Sequence, residues 1–109
     1  MSCALDLSKA PELTRQHFPD LVAWPEGQAS QPRRVLVIGL CRDSMLWYSD
    51  MVGCMVPFEG IWAEAYHSRE PAGFTNIVHF GDAVPALYTR TGKVIPLSSQ
   101  VNKKSARPA

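Results

Sequence analysis

Apolar residues in this chain come in short runs, broken every few positions by Gly, Pro or Asp. The densest region, residues 46–84, holds two of the three Trp, two of the three Tyr and three of the four Phe. Val35–Leu40 (VLVIGL) is a continuous aliphatic run whose length and β-branching predict a buried strand. In the stretch from Asp43 to Gly53, Asp43 or Ser44 is placed as an N-cap and Gly53 as a left-handed C′ residue. That predicts a short helix or helical turn, with Trp47 and Met51 on one face. Cys54–Phe58 reads as a strand that Pro57 confines to an edge or bulge.

Glu59-Gly60 reads as a turn, and Ile61–His67 alternates as one strand with Trp62, Glu64 and Tyr66 on a common side. Ser68–Gly73 has strong turn chemistry, with a positive φ expected at Gly73 before Phe74 re-enters the core. Phe74–Phe80 alternates cleanly, with Phe74, Val78 and Phe80 facing one way. Ala83–Tyr88 is a last strand or a helical turn, and Val94-Ile95 suits one more short strand. Four or five short strands about 8–12 residues apart predict a mainly β fold: a small antiparallel SH3-like barrel or curled sheet with one short helix.

Residues 33–92 form the expected barrel domain. Residues 1–32 form an N-terminal arm. Ser8 and Pro11 suit the start of a short helix with Leu13, Phe18 and Leu21 on its apolar side, followed by a polar linker over 26–32. The arm is either disordered or docked, and two large aromatics, Phe18 and Trp24, favour docking. Residues 93–109 read as a flexible basic tail.

Composition narrows the function classes. The chain has 109 residues, 46% of them hydrophobic, and a formal net charge of +1. That suits one domain and excludes an acidic DNA mimic. Three cysteines without a C-x-x-C pair, and no basic or long apolar leader, predict reduced thiols, a cytoplasmic location and no membrane partner.

Two segments carry a resemblance: Leu46-Trp47-Tyr48-Ser49-Asp50-Met51-Val52-Gly53 and Arg69-Glu70-Pro71-Ala72-Gly73-Phe74-Thr75-Asn76-Ile77-Val78. Their order resembles that in small SH3-like barrel proteins encoded on phages, plasmids and other mobile elements. The resemblance covers about half of the chain. It implies a fold and a bacterial mobile-element setting, and it carries over no catalytic residue.

Candidate chemistry is sparse. Cys41, Cys54, His67 and His79 are spaced by 13, 13 and 12 residues, without the close pair that structural zinc sites use, so no metal or cofactor is expected. A Cys54–His67 or Cys54–His79 nucleophilic pair has the thiol at the wrong end of a helix dipole. Asp50, late in the expected helix, is a candidate to bond loop amides or pair with Arg69. Trp62, Tyr66, Arg69 and Glu70 are the candidate binding residues, as two surface aromatics and an exposed charged loop.

The leading expectation is a non-enzymatic protein-interaction module whose partner is another protein or a second copy of itself. The alternative is a nucleic-acid-binding accessory protein using Arg33, Arg34, Lys103, Lys104 and Arg107. The third is a small enzyme whose site forms between subunits.

Overall fold

The computed structural model describes residues 7–24 and 31–97. The fold is mainly β. It comprises a 3-10 turn (Leu7–Lys9), helix α1 (Ala10–Thr14), a second 3-10 turn (Pro19–Val22), and strands β1 (Arg33–Ile38), β2 (Met55–Pro57), β3 (Gly60–Trp62), β4 (Ala65–Arg69), β5 (Thr75–Val78), β6 (Ala83–Tyr88) and β7 (Val94–Pro96). The strands make two antiparallel sheets, ordered β2-β1-β6-β7 and β3-β4-β5. Among the described residues the sheets share no ladder, so they lie as two curled sheets and do not close into one barrel.

Strand β1 is central and covered on both faces, which is why its sequence does not alternate. Leu36 and Ile38 point to the second sheet and join Val56, Ala83, Tyr48, Met51 and Val78 in one core. Val35 and Val37 point the other way and join Met55, Ala86 and Tyr88 in a second core, against Ala10, Leu7, Leu21, Val22 and Trp24 of the arm. The order is therefore arm, first sheet, second sheet.

The arm packs on β2, the edge strand that carries Pro57. Its helix turns Ala10 and Thr14 inward, while Leu13 rests against Gly53 and stays partly in solvent. Thr14 Oγ1 donates to the Ala10 carbonyl at 2.6 Å and accepts the Met55 N–H at 2.7 Å. A side chain thus occupies the outward position where another strand would bond.

Residues 43–53 form no helix. Successive turns bond Leu46 N–H to Asp43 O, Ser49 N–H to Leu46 O and Met51 N–H to Tyr48 O. The physical reason is that adjacent Trp47 and Tyr48 both turn inward. Tyr48 is fully buried, and Trp47 Nε1 donates to the Ile77 carbonyl at 2.8 Å. Gly53 does take a positive φ, +95°.

The stretch 61–67 is a hairpin, not one strand. Ala63 and Glu64 both adopt the left-handed region (φ 54° and 61°), the backbone of a two-residue turn. Gly60 belongs to β3, not to a turn. Trp62 folds back over it and stacks on the His67 ring, with centroids 3.6 Å apart and planes at 11°. A Cβ at Gly60 would lie 2.5 Å from the indole, so only glycine fits.

At the other edge of this sheet, Ile77 has its outward N–H bonded to Asn76 Oδ1 and its outward carbonyl bonded to Trp47. Of the expected inward trio, Val78 is buried and Phe80 is half exposed, while Phe74 is 69% exposed on the far side of the Gly73 turn. The expected domain end at residue 92 falls inside the β6–β7 hairpin, and the sheet runs on to Pro96.

Two stability changes follow. Gly60→Ala lowers the unfolding free energy by about 1–3 kcal/mol in urea titration, because the indole must move. Replacing the turn by Ala63→Asn with Glu64→Gly raises it by about 1 kcal/mol, since L-residues resist the left-handed region.

Candidate functional site

The residues singled out in the sequence are divided by the fold. Arg69 ends β4 and Glu70 opens the following loop. Both line an open groove of about 530 Å3. The opposite wall is residues 17–21 of the arm, and Arg33 and Pro57 complete the lining with Pro71 and Gly73. The arm, the first sheet and the second sheet therefore all contribute.

Local chemistry fixes the loop side. The Glu70 N–H bonds the Phe74 carbonyl and the Gly73 N–H bonds the Glu70 carbonyl, both at 2.8 Å, closing a tight loop with Gly73 at φ +103°. The Glu70 carboxylate accepts from Asn76 Nδ2 at 2.7 Å. Arg69 Nε lies 3.3 Å from Glu59 Oε2, so Glu59 takes the place proposed for Asp50, which is exposed. Phe74, the residue after Gly73, is exposed.

Arg33 shapes the arm side. Its Nη1 donates to the carbonyls of Asp20 (2.8 Å) and Leu21 (2.7 Å), and its guanidinium lies 4.2 Å from the Trp24 ring centroid. Trp24 also packs on Tyr88 with centroids 5.9 Å apart.

Trp62 and Tyr66 do not join this groove. Trp62 is 52% exposed and covers Gly60 and His67. Tyr66 lies edge-on to Phe58 and Phe80 at 5.7 and 4.9 Å, and burial pushes its hydroxyl pKa up. The hairpin turn between β3 and β4 separates the two residues that a single strand would have placed side by side.

The nucleic-acid candidates are likewise dispersed. Arg33 holds the arm, Arg34 lies over Phe58 at 4.7 Å, and Lys103, Lys104 and Arg107 fall outside the described residues.

Cys54 and His67 are committed to packing. Cys54 sits in the core with Sγ 3.5 Å from the Leu13 carbonyl; burial, then the Asp50 charge, push its pKa up and disfavour the thiolate. The Trp62 carbonyl can only accept, so His67 Nε2, 3.0 Å away, carries the proton. Among the described residues no three His, Cys, Asp or Glu side chains gather as metal ligands.

A polar cluster that the sequence did not signal lies between β1 and the turn before β6. Asp82 is buried. Its carboxylate accepts from Tyr48 Oη at 2.6 Å and from Arg42 Nε at 3.2 and 3.3 Å. Its backbone carbonyl accepts from Gly39 and Leu40. Arg42 continues to the Phe80 carbonyl at 3.1 Å, and the His79 N–H reaches Tyr48 Oη at 3.3 Å. Burial pushes the Tyr48 hydroxyl pKa well up, and the Asp82 carboxylate adds to this. For Asp82 burial acts upward too, but the Tyr48 and Arg42 hydrogen bonds outweigh it and hold the carboxyl below its usual range. In the sequence Asp82 follows Gly81 as an ordinary turn pair, and nothing there distinguishes a buried carboxylate from a solvated one.

No protein-family model, curated protein or solved structure matches this chain. Among the described residues no helix is long and apolar enough to cross a membrane.

The cluster sets a pH dependence. Asp82 gives up its proton more readily in the folded protein than in the unfolded chain, so its contribution is complete above the ordinary carboxyl pKa near 4. It is lost as pH falls through the lower, folded value. Asp82→Asn costs about 1.5–3 kcal/mol at pH 7, in the range of hydrogen bonds to charged groups. Urea titrations of parent and variant should differ most at neutral pH and draw together as pH falls below the ordinary carboxyl pKa.

Proposed function

We propose that the protein is a non-enzymatic interaction module that binds an extended segment of a partner protein in the groove between the arm and the β4–β5 loop. The observation that carries this reading is the groove's make-up. It is open, and its walls combine Phe18, Leu21 and three prolines with side chains of both charge signs: Asp20 and Glu70 against Arg33 and Arg69.

A polyanion would meet the two carboxylates as repulsion, whereas a polypeptide of mixed charge offers partners for both signs. Prolines give apolar contact without N–H donors. Phe74, an exposed large aromatic that follows the groove residue Gly73 in the chain, is the type of residue on which binding energy concentrates. The resemblance to small mobile-element proteins supplies a bacterial cytoplasmic setting for this reading. Nucleic-acid binding is less favoured, because Arg33 and Arg34 are engaged within the fold.

Selection of a random peptide library displayed on phage, panned on the full chain, tests the proposal. Synthetic peptides from the enriched clones should bind about tenfold more weakly to Arg69→Ser and Phe74→Ser, a loss of ~1.4 kcal/mol. They should bind unchanged to Ile95→Ser on β7. Absence of enrichment, or equal binding to the parent and both loop variants, overturns it.

A further inference from the structure

We infer that Arg33 is the positioning residue for one wall of this groove, setting the backbone of a turn whose side chains Leu21 and Val22 pack on the first sheet. The functional meaning rests on the reading above; the structural claim does not.

Residues 17–21 form a wall only if the 3-10 turn Pro19–Val22 stays against the first sheet. That turn is four residues long and has no side-chain cap on its N-terminal residue. A segment so short has little stability of its own. Its ends are bonded by Leu21 N–H to Phe18 O at 3.0 Å and by Ala23 N–H to Asp20 O at 3.4 Å. Arg33 reaches it from β1, across the linker, and bonds two successive carbonyls, those of Asp20 and Leu21. The same guanidinium lies over Trp24 at the end of the segment.

Helix α1 is attached differently. It is tied through Thr14 to the Met55 amide on β2, without Arg33. Beside the apolar contacts of Leu7, Leu21, Val22 and Trp24 with the first sheet, the arm thus has two polar attachments at different places. Thr14 seals the sheet edge, and Arg33 sets the groove wall. Loss of the second loosens the backbone of the groove wall and leaves the two-sheet core and α1 in place.

Native-state hydrogen exchange on the full chain tests this without any ligand. In Arg33→Met the amides of Leu21 and Ala23 should exchange at least ~10-fold faster than in the parent, while those of Met55 and Ile38 keep their rates. Arg33→Lys retains the charge but lacks the planar fork, so it should speed the same two amides to an intermediate degree; it also serves if the Met variant fails to fold. Unchanged Leu21 and Ala23 rates in both variants overturn the inference. So does acceleration of all four amides by one common factor, which would make Arg33 an ordinary part of the global fold. If peptides selected by panning fail to exist while the exchange pattern holds, the functional reading falls and the positioning role stands.

Discussion

The structure depends on one strand having no solvent face. Every side chain from Val35 to Ile38 is fully buried, and alternate ones belong to different cores. One core is closed by the second sheet and the other by the arm. Neither layer is optional while those residues stay dry, since exposing them costs roughly 25 cal/mol for each Å2 of apolar surface. This two-sided demand places a non-sheet segment, the arm, against the edge of the first sheet. The groove lies where that segment meets the second sheet.

The buried Asp82 carboxylate does complementary work at the far end of β1. The hydrophobic layers fix which faces meet but not how the connecting loops run. Asp82 ties residues 39–42, Tyr48 and the 79–82 turn to one point through hydrogen bonds that are directional. The loop over 43–53 can therefore remain a chain of turns and still present Tyr48 and Trp47 to the core. A helix would bring Trp47 and Met51 to one face but could not aim Tyr48 at Asp82 and Trp47 at Ile77 together.

The sequence made the mainly β, antiparallel class legible, together with the burial of Val35–Ile38, the edge position of the Pro57 strand and the positive φ at Gly53 and Gly73. These features depend on nearby residues or on continuous apolar runs. Less was legible where distant partners decide. Ala63-Glu64 carries no turn signature, and the hairpin there is held by Trp62 packing over Gly60 and His67. Thr14 looks like an unremarkable surface residue, and Arg33 like a surface charge suited to nucleic acid, until β2 and the 3-10 turn are set beside them. Of the candidate site, Arg69 and Glu70 were visible because loop chemistry marks them, whereas the arm wall was not, because a groove between layers has no local signal. Trp62 and Tyr66 were grouped by an alternation that the intervening turn breaks.

The two side-chain bonds on Ile77 have a bearing on solubility at high concentration. An exposed β edge invites another copy to extend it, and repetition of that step builds fibres. With the Ile77 amide held by Asn76 and its carbonyl held by Trp47, β5 cannot serve as a template at that position. Fibrillar growth from this flank would first require the Trp47 indole to leave its place beneath the loop.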